Sequence, residues 1–164
     1  MGRDKARLRL GRRTLLGHVR ALAGETGLRV RVVRRDRVPR CGPLGGVYTA
    51  LKGSRAGAVL FLSCDMPFVS AGLLARLLTR FEVRREALFV EVAGTVGFPF
   101  VVPRAGLAVV EAQLAAKRFS LQALAVALAA RRMKLRRAEA GQVFNVNTPE
   151  DFAAAKGRCG LIRK

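Results

Sequence analysis

Histidine is almost missing from this chain of 164 residues, His18 being its sole example, and tryptophan is absent. With one imidazole, neither a His-rich metal site nor a Ser-His-Asp triad has material to work with. His18 itself reads as a surface or partly buried histidine without a partner. Three cysteines, Cys41, Cys64 and Cys159, form no C-x-x-C pair. Their odd number argues against a disulfide framework, so they read as reduced thiols. No apolar run approaches the roughly 20 residues that cross a bilayer, and the charged N-terminus lacks the apolar segment of a signal peptide. The expected location is the cytoplasm.

Acidic residues are also scarce, 11 against 31 Lys and Arg, which leaves a formal net charge of +20. That potential attracts polyanions, nucleic acid among them. With a single Tyr and no Trp to stack on bases, compositional bias explains the arginines better than nucleic-acid binding does. Hydrophobic residues make up 51% of the chain, enough for the core of one domain spanning residues 1–164.

The apolar spacing predicts the elements. Leu15, Leu16, Val19 and Leu22 share one face of a helix that Thr14 can cap. LRVRVVRRD alternates valine with arginine from Leu28 to Val32, the pattern of a strand with one buried face. A turn-rich stretch leads to a short helix over 47–52, ended by Gly53. AVLFLSCD is a continuous apolar run that suits a central strand buried on both faces. Ser70 caps a helix carrying Leu73, Leu74, Leu77 and Leu78. ALFVEVAG and TVGFPFVVP read as two less regular strands, and 107–116 and 121–132 as helices, Ser120 capping the second. VFNVNTPEDFAAAK supplies a strand, a turn and a helix, with Thr148 as N-cap, Pro149 at the first helical position and Asp151 closing a capping box. Strands alternating with helices predict a three-layer α/β domain with a mostly parallel sheet, its sites lying beyond the carboxyl ends of the strands.

Chemistry must then rest on carboxylates, lysine, amides and backbone. Asp65 follows a buried apolar run and precedes Pro67, a place suited to Mg²⁺, which takes one or two carboxylates together with phosphate oxygens and water. A turn-bonding role explains Asp65 equally well. The Lys5 ammonium suits nucleotide phosphates, although a solvated lysine is the default in so basic a chain. Gly42, Gly45 and Gly46 permit close backbone approach before a helix, as in a phosphate cradle, yet match no Walker or dinucleotide spacing. Asn145 and Asn147, two apart in a strand, offer amide oxygens on one face to a metal or to a phosphate-bound water.

Four segments in this order, MGRDKA, CGPLGGVYTAL, FLSCDMPF and VFNVNTPED, resemble the molybdenum cofactor guanylyltransferase family. The resemblance spans nearly the whole chain. It implies a Rossmann-like nucleotidyltransferase fold and transfer of GMP from Mg-GTP to molybdopterin-bound molybdenum, with release of pyrophosphate. It further implies that Lys5 holds the GTP phosphates, that Asp65 holds Mg²⁺, and that Asp36 with Gly42, Pro43 and Leu44 contacts the nucleotide. Analogy with related nucleotidyltransferases makes Asn147 a second metal contact. Proteins that deliver molybdopterin or accept the finished cofactor are implied as partners. Cytidylyltransferases for the same cofactor are the nearest alternative, and Asp4, Cys64, Asn145 and Asn147 favour the guanylyl side. Members of the family place a buried strand and a glycine-rich loop, LAGGxSxR, before the MGxDKA motif, and two strands where 28–36 offers one. A chain lacking that strand and loop is expected to transfer weakly. The rival from another class is a non-catalytic basic protein that binds nucleic acid.

Overall fold

The computed structural model describes residues 5–161. A two-residue hairpin, β1 (Arg9–Leu10) and β2 (Arg13–Thr14), turns at Gly11 and runs into α1 (Leu15–Glu25). Thr14 caps α1 as expected, its hydroxyl accepting from the Gly17 amide at 3.0 Å. Then follow α2 (Gly42–Lys52), β3 (Ala58–Phe61), α3 (Ala71–Arg84), β4 (Leu88–Val92), β5 (Thr95–Pro103), α4 (Leu107–Ala115), α5 (Leu121–Ala127), β6 (Arg131–Lys134) and α6 (Pro149–Leu161).

The main sheet has the order β3-β5-β4-β6. β5 runs antiparallel to both its neighbours, and β4 pairs in parallel with β6. β3, β4 and β6 therefore share one direction, with a single opposed strand between them. Pro99 has no N–H to give a ladder, and β5 accommodates it in a register shift: Phe89 faces Phe100 while Val90 faces Gly97.

Alternation along the strands divides the core into two layers. Phe89, Phe100 and Val102 pack with Leu44, Val47 and Leu51 of α2, Val110 of α4 and Leu124 of α5. The neighbouring positions, Leu88, Val90 and Val101, face Leu73, Leu77 and Phe81 of α3, with Met133 of β6. These are the expected three layers. Phe100 is stacked on Phe89 at 4.4 Å and on Phe61 at 4.8 Å. A third, smaller cluster joins Leu10, Leu15, Val146 and Ala155, with Leu8, Phe68, Phe144 and Phe152 packed on it. It ties the N-terminal hairpin to the last helix.

Several expectations are corrected. Residues 29–34 have no regular structure, and Leu28 and Val30 are 49% and 43% exposed. Alternating valines become a strand only beside a strand that satisfies their backbone groups, and none pairs with them among the described residues. The AVLFLSCD run forms the short β3 at the edge of the sheet, half-buried except at Phe61, and not a central strand. The helix expected from 47 begins at Gly42, because Pro43 can open a helix without needing an amide partner. The helix expected to reach 132 stops at Ala127; Ala129 turns the chain at φ 46° and β6 follows. The strand expected before NTPED is a 3₁₀ turn over 137–143 followed by irregular chain.

Ser70 caps α3, accepting from the Leu73 amide at 3.1 Å and donating to Gln142 Oε1 at 2.6 Å. Ser70→Ala is expected to cost about 1 kcal/mol, a fall of roughly 2–4 °C in Tm. An unchanged Tm in a thermal melt would show the cap to be idle.

Candidate functional site

Beyond the carboxyl end of β3 the chain turns at 62–69, and the Asp65 carbonyl accepts from the Val146 amide at 2.8 Å. That bond brings the Asp65 loop against the segment leading into α6. The Asp65 side chain is fixed within its own loop, Oδ1 accepting from Ser63 Oγ at 2.5 Å. One residue beyond Val146, Asn147 Oδ1 accepts from Lys5 Nζ at 3.0 Å. Three positions far apart in sequence, Lys5, Asp65 and Asn147, are thus gathered by one backbone bond and one side-chain bond. The small cluster of Leu10, Leu15, Val146 and Ala155 lies beneath them.

Asp151 completes this corner. Its Oδ2 accepts from the amides of Thr148 at 2.9 Å and Asn147 at 3.0 Å, and Thr148 Oγ1 accepts from the Asp151 amide at 3.1 Å. The expected capping box is present, and it also holds the backbone of Asn147. The Thr148 amide above all, then the Asn147 amide, and last the Lys5 charge hold the Asp151 carboxyl below its ordinary range. A depressed carboxyl contributes stability above its unfolded pKa and loses it as pH falls through the folded value. The protection of the Asn147 and Thr148 amides, taken against their intrinsic exchange at each pH, is therefore expected to fall below about pH 4. In Asp151→Ala, which removes the acceptor, that protection is expected to be low at pH 7 already, with little further change on acidification.

Asp36 and the Gly42–Leu44 turn form a second group. A Cβ on Gly45 would lie 2.9 Å from Asp36 Oδ2 and 2.9 Å from the Val38 carbonyl, so only glycine fits there. The Asp36 carboxylate therefore rests against the first turn of α2, where the helix dipole favours negative charge. Gly42 takes a left-handed φ of 52°, and the Leu44 side chain is buried in the core, which leaves its backbone to meet a ligand. Among the described residues no hydrogen bond or ion pair joins this group to the Lys5, Asp65 and Asn147 group.

The donor set around Asp65 suits a hard divalent cation. Among the described residues Asp65 Oδ2 makes no hydrogen bond, and the buried Asn145 Oδ1 makes none either. No cluster of three or more His, Cys, Asp and Glu able to hold a metal occurs among the described residues. A single carboxylate completed by amide, phosphate and water oxygens is the arrangement that Mg²⁺ accepts.

Residues 1–137 match the family described as MobA-like NTP transferase domain. A molybdenum cofactor guanylyltransferase of Xanthomonas euvesicatoria is 31% identical over 93% of this chain and 86% of its own length. The chain belongs to the MobA-like NTP transferase family. It is a nucleotidyltransferase related to the molybdenum cofactor guanylyltransferases. The fold agrees: molybdopterin-guanine dinucleotide biosynthesis protein A of Archaeoglobus fulgidus superposes with a TM-score of 0.76 at 17% identity, covering 98% of this chain and 92% of that one. Rv0371c of Mycobacterium tuberculosis, solved with manganese, superposes with a TM-score of 0.60 at 18% identity, covering 95% and 93%.

The family's MGxDKA motif is described here from Lys5 onward; Asp4 lies outside the described residues. His18, read as unpartnered, bonds the Leu10 carbonyl through Nε2 at 2.7 Å and so fastens α1 to the hairpin. None of the three cysteines is joined in a disulfide. No described helix is long and apolar enough to cross a membrane. Two contributors escaped the sequence reading. Ser63 is separated from Asp65 by one residue, a spacing that permits a local side-chain bond, and Asp151 showed only its capping signal.

Proposed function

We propose that this chain transfers GMP from GTP to molybdopterin-bound molybdenum, releasing pyrophosphate and giving the guanine dinucleotide form of the cofactor, and that it does so in the cytoplasm. The observation that carries the reading is the convergence of Lys5, Asp65 and Asn147, three of the residues that the family pattern marks, through the Val146–Asp65 and Lys5–Asn147 bonds. The 31% identity with a guanylyltransferase along most of both chains supports GTP as the nucleotide.

Asp65, with Asn147 as a second contact, would hold Mg²⁺, which when bound neutralises phosphate charge. Lys5 lies beside Asn147 and carries the positive charge for the triphosphate, exchanging its amide contact for phosphate oxygens. Asp36 and the Gly42–Pro43–Leu44 turn sit at the N-terminus of α2 and contact the nucleotide. An acceptor oxygen then attacks the α-phosphorus, its new P–O bond replacing the one to the β-phosphate, and pyrophosphate leaves. Such transfers depend on positioning and charge neutralisation, so neither a histidine nor a nucleophilic serine is needed. A protein that delivers molybdopterin and an acceptor molybdoenzyme complete the scheme.

Pyrophosphate release in the presence of molybdenum-loaded molybdopterin and Mg²⁺ tests it. GTP is expected to support release and CTP to do so at least about tenfold less well, a difference of 1.4 kcal/mol in transition-state binding. Equal or greater turnover with CTP would reassign the chain to the cytidylyl side.

A further inference from the structure

The segment that carries Asn145 and Asn147 is fastened from outside the site by an arginine that belongs to none of the four family motifs. Arg158 stands on the third turn of α6, with its guanidinium carbon 4.3 Å from the centre of the Phe144 ring and 5.6 Å from that of Phe68. Its Nη1 donates to the Gly141 carbonyl at 3.3 Å. The two rings touch at 6.3 Å. Phe68 is three residues beyond Asp65, and Phe144 is three residues before Asn147. Between the two segments runs the Val146 to Asp65 bond.

We infer that Arg158 is a positioning residue, which sets the spacing of Asp65 and Asn147 by holding Phe68 and Phe144 together from α6. The inference rests on the proposed role of Asp65 and Asn147 in holding the metal and nucleotide. A planar guanidinium can face a ring and reach a carbonyl at once, whereas an ammonium is a point charge and cannot cover both rings. Among the described residues neither segment pairs in a sheet ladder, so the contacts to α6 stand in for one. Arg158 acts through Phe68, Phe144 and the Gly141 carbonyl, and among the described residues it bonds none of Lys5, Asp65 and Asn147.

Two readouts test it. Amide exchange of Val146 reports the junction without any ligand, and the Mg²⁺ concentration giving half-maximal GTP binding reports the site. In Arg158→Ala, Val146 exchange is expected to quicken at least about fivefold, while the β4 and β5 amides keep their rates. The Mg²⁺ requirement is expected to rise by a similar factor, and Arg158→Lys to fall between Ala and wild type in both. Unchanged Val146 exchange in Arg158→Ala overturns the inference, as does quickening shared equally by β4 and β5. Should Arg158→Ala unfold, the same comparison in Arg158→Lys decides. If wild type binds no Mg-GTP while Val146 exchange still responds to Arg158, the positioning stands and the nucleotide reading fails.

Discussion

Asp65→Ala is expected to lower kcat/KM for GMP transfer by about 10²–10³-fold, or roughly 2.7–4 kcal/mol, the scale seen when one preorganised electrostatic group is removed from a transition state. The physical reason is placement. Asp65 lies beyond the carboxyl end of β3, one carboxylate oxygen is held by Ser63, and the other bonds no described residue, which leaves it to meet a cation. No group of three or more His, Cys, Asp and Glu able to hold a metal occurs among the described residues. Stability is expected to change little, because among the described residues the carboxylate bonds only Ser63, and the Asp65 carbonyl, which anchors Val146, survives the substitution. Asp65→Asn keeps an acceptor for Ser63 and removes the charge, so it separates geometry from electrostatics. Retention by Asp65→Asn of activity within roughly threefold of wild type would show that the charge is not used.

Phe100→Ala is expected to cost about 3–5 kcal/mol. Phe100 is fully buried, central in β5, and its ring is shared by Phe61 of β3 and Phe89 of β4. Truncation leaves a cavity where three strands meet, and the surrounding rings have little room to collapse into it. Against a total stability of roughly 5–15 kcal/mol, such a loss removes between about a fifth and all of it. Tm is expected to fall by about 10–15 °C. Val83→Ala, at a position 76% exposed, serves as the control and is expected to stay within about 0.5 kcal/mol of wild type. A Phe100→Ala melt that matches the control would mean that the stacked rings do not organise the core.

What could be read from residues alone follows the range over which each signal acts. Caps are local: Thr14, Ser70, Ser120 and Thr148 each found the expected amide, because the bond closes within three residues. The leucines of α3 carried enough periodicity to mark a helix, and the apolar runs of β4 and β5 were enough to mark both as strands. β6 escaped because RRMK has one apolar residue, Met133, among three charges, and its partner β4 lies about 40 residues away. The Leu28–Val32 alternation failed for the opposite reason: its local pattern was good, but a strand depends on a neighbour. At the site, the residue types at Lys5, Asp65 and Asn147 were legible, whereas their convergence was not. It depends on the Val146–Asp65 bond and on the packing of Leu10, Leu15 and Ala155, contacts that span the chain from end to end.

The central claim is that Lys5, Asp65 and Asn147 form a metal-dependent nucleotide site on a basic protein whose charge alone would attract any polyanion. Calorimetric titration of GTP, with and without Mg²⁺, into wild type and Asp65→Ala tests it most directly. Binding is expected in about the micromolar to millimolar range typical of enzyme substrates, requiring Mg²⁺ in wild type and lost in Asp65→Ala. Binding that ignores both Mg²⁺ and Asp65, with a polynucleotide displacing GTP and its own affinity falling steeply as salt is raised, would contradict it and leave the arginines as the reason for anion affinity.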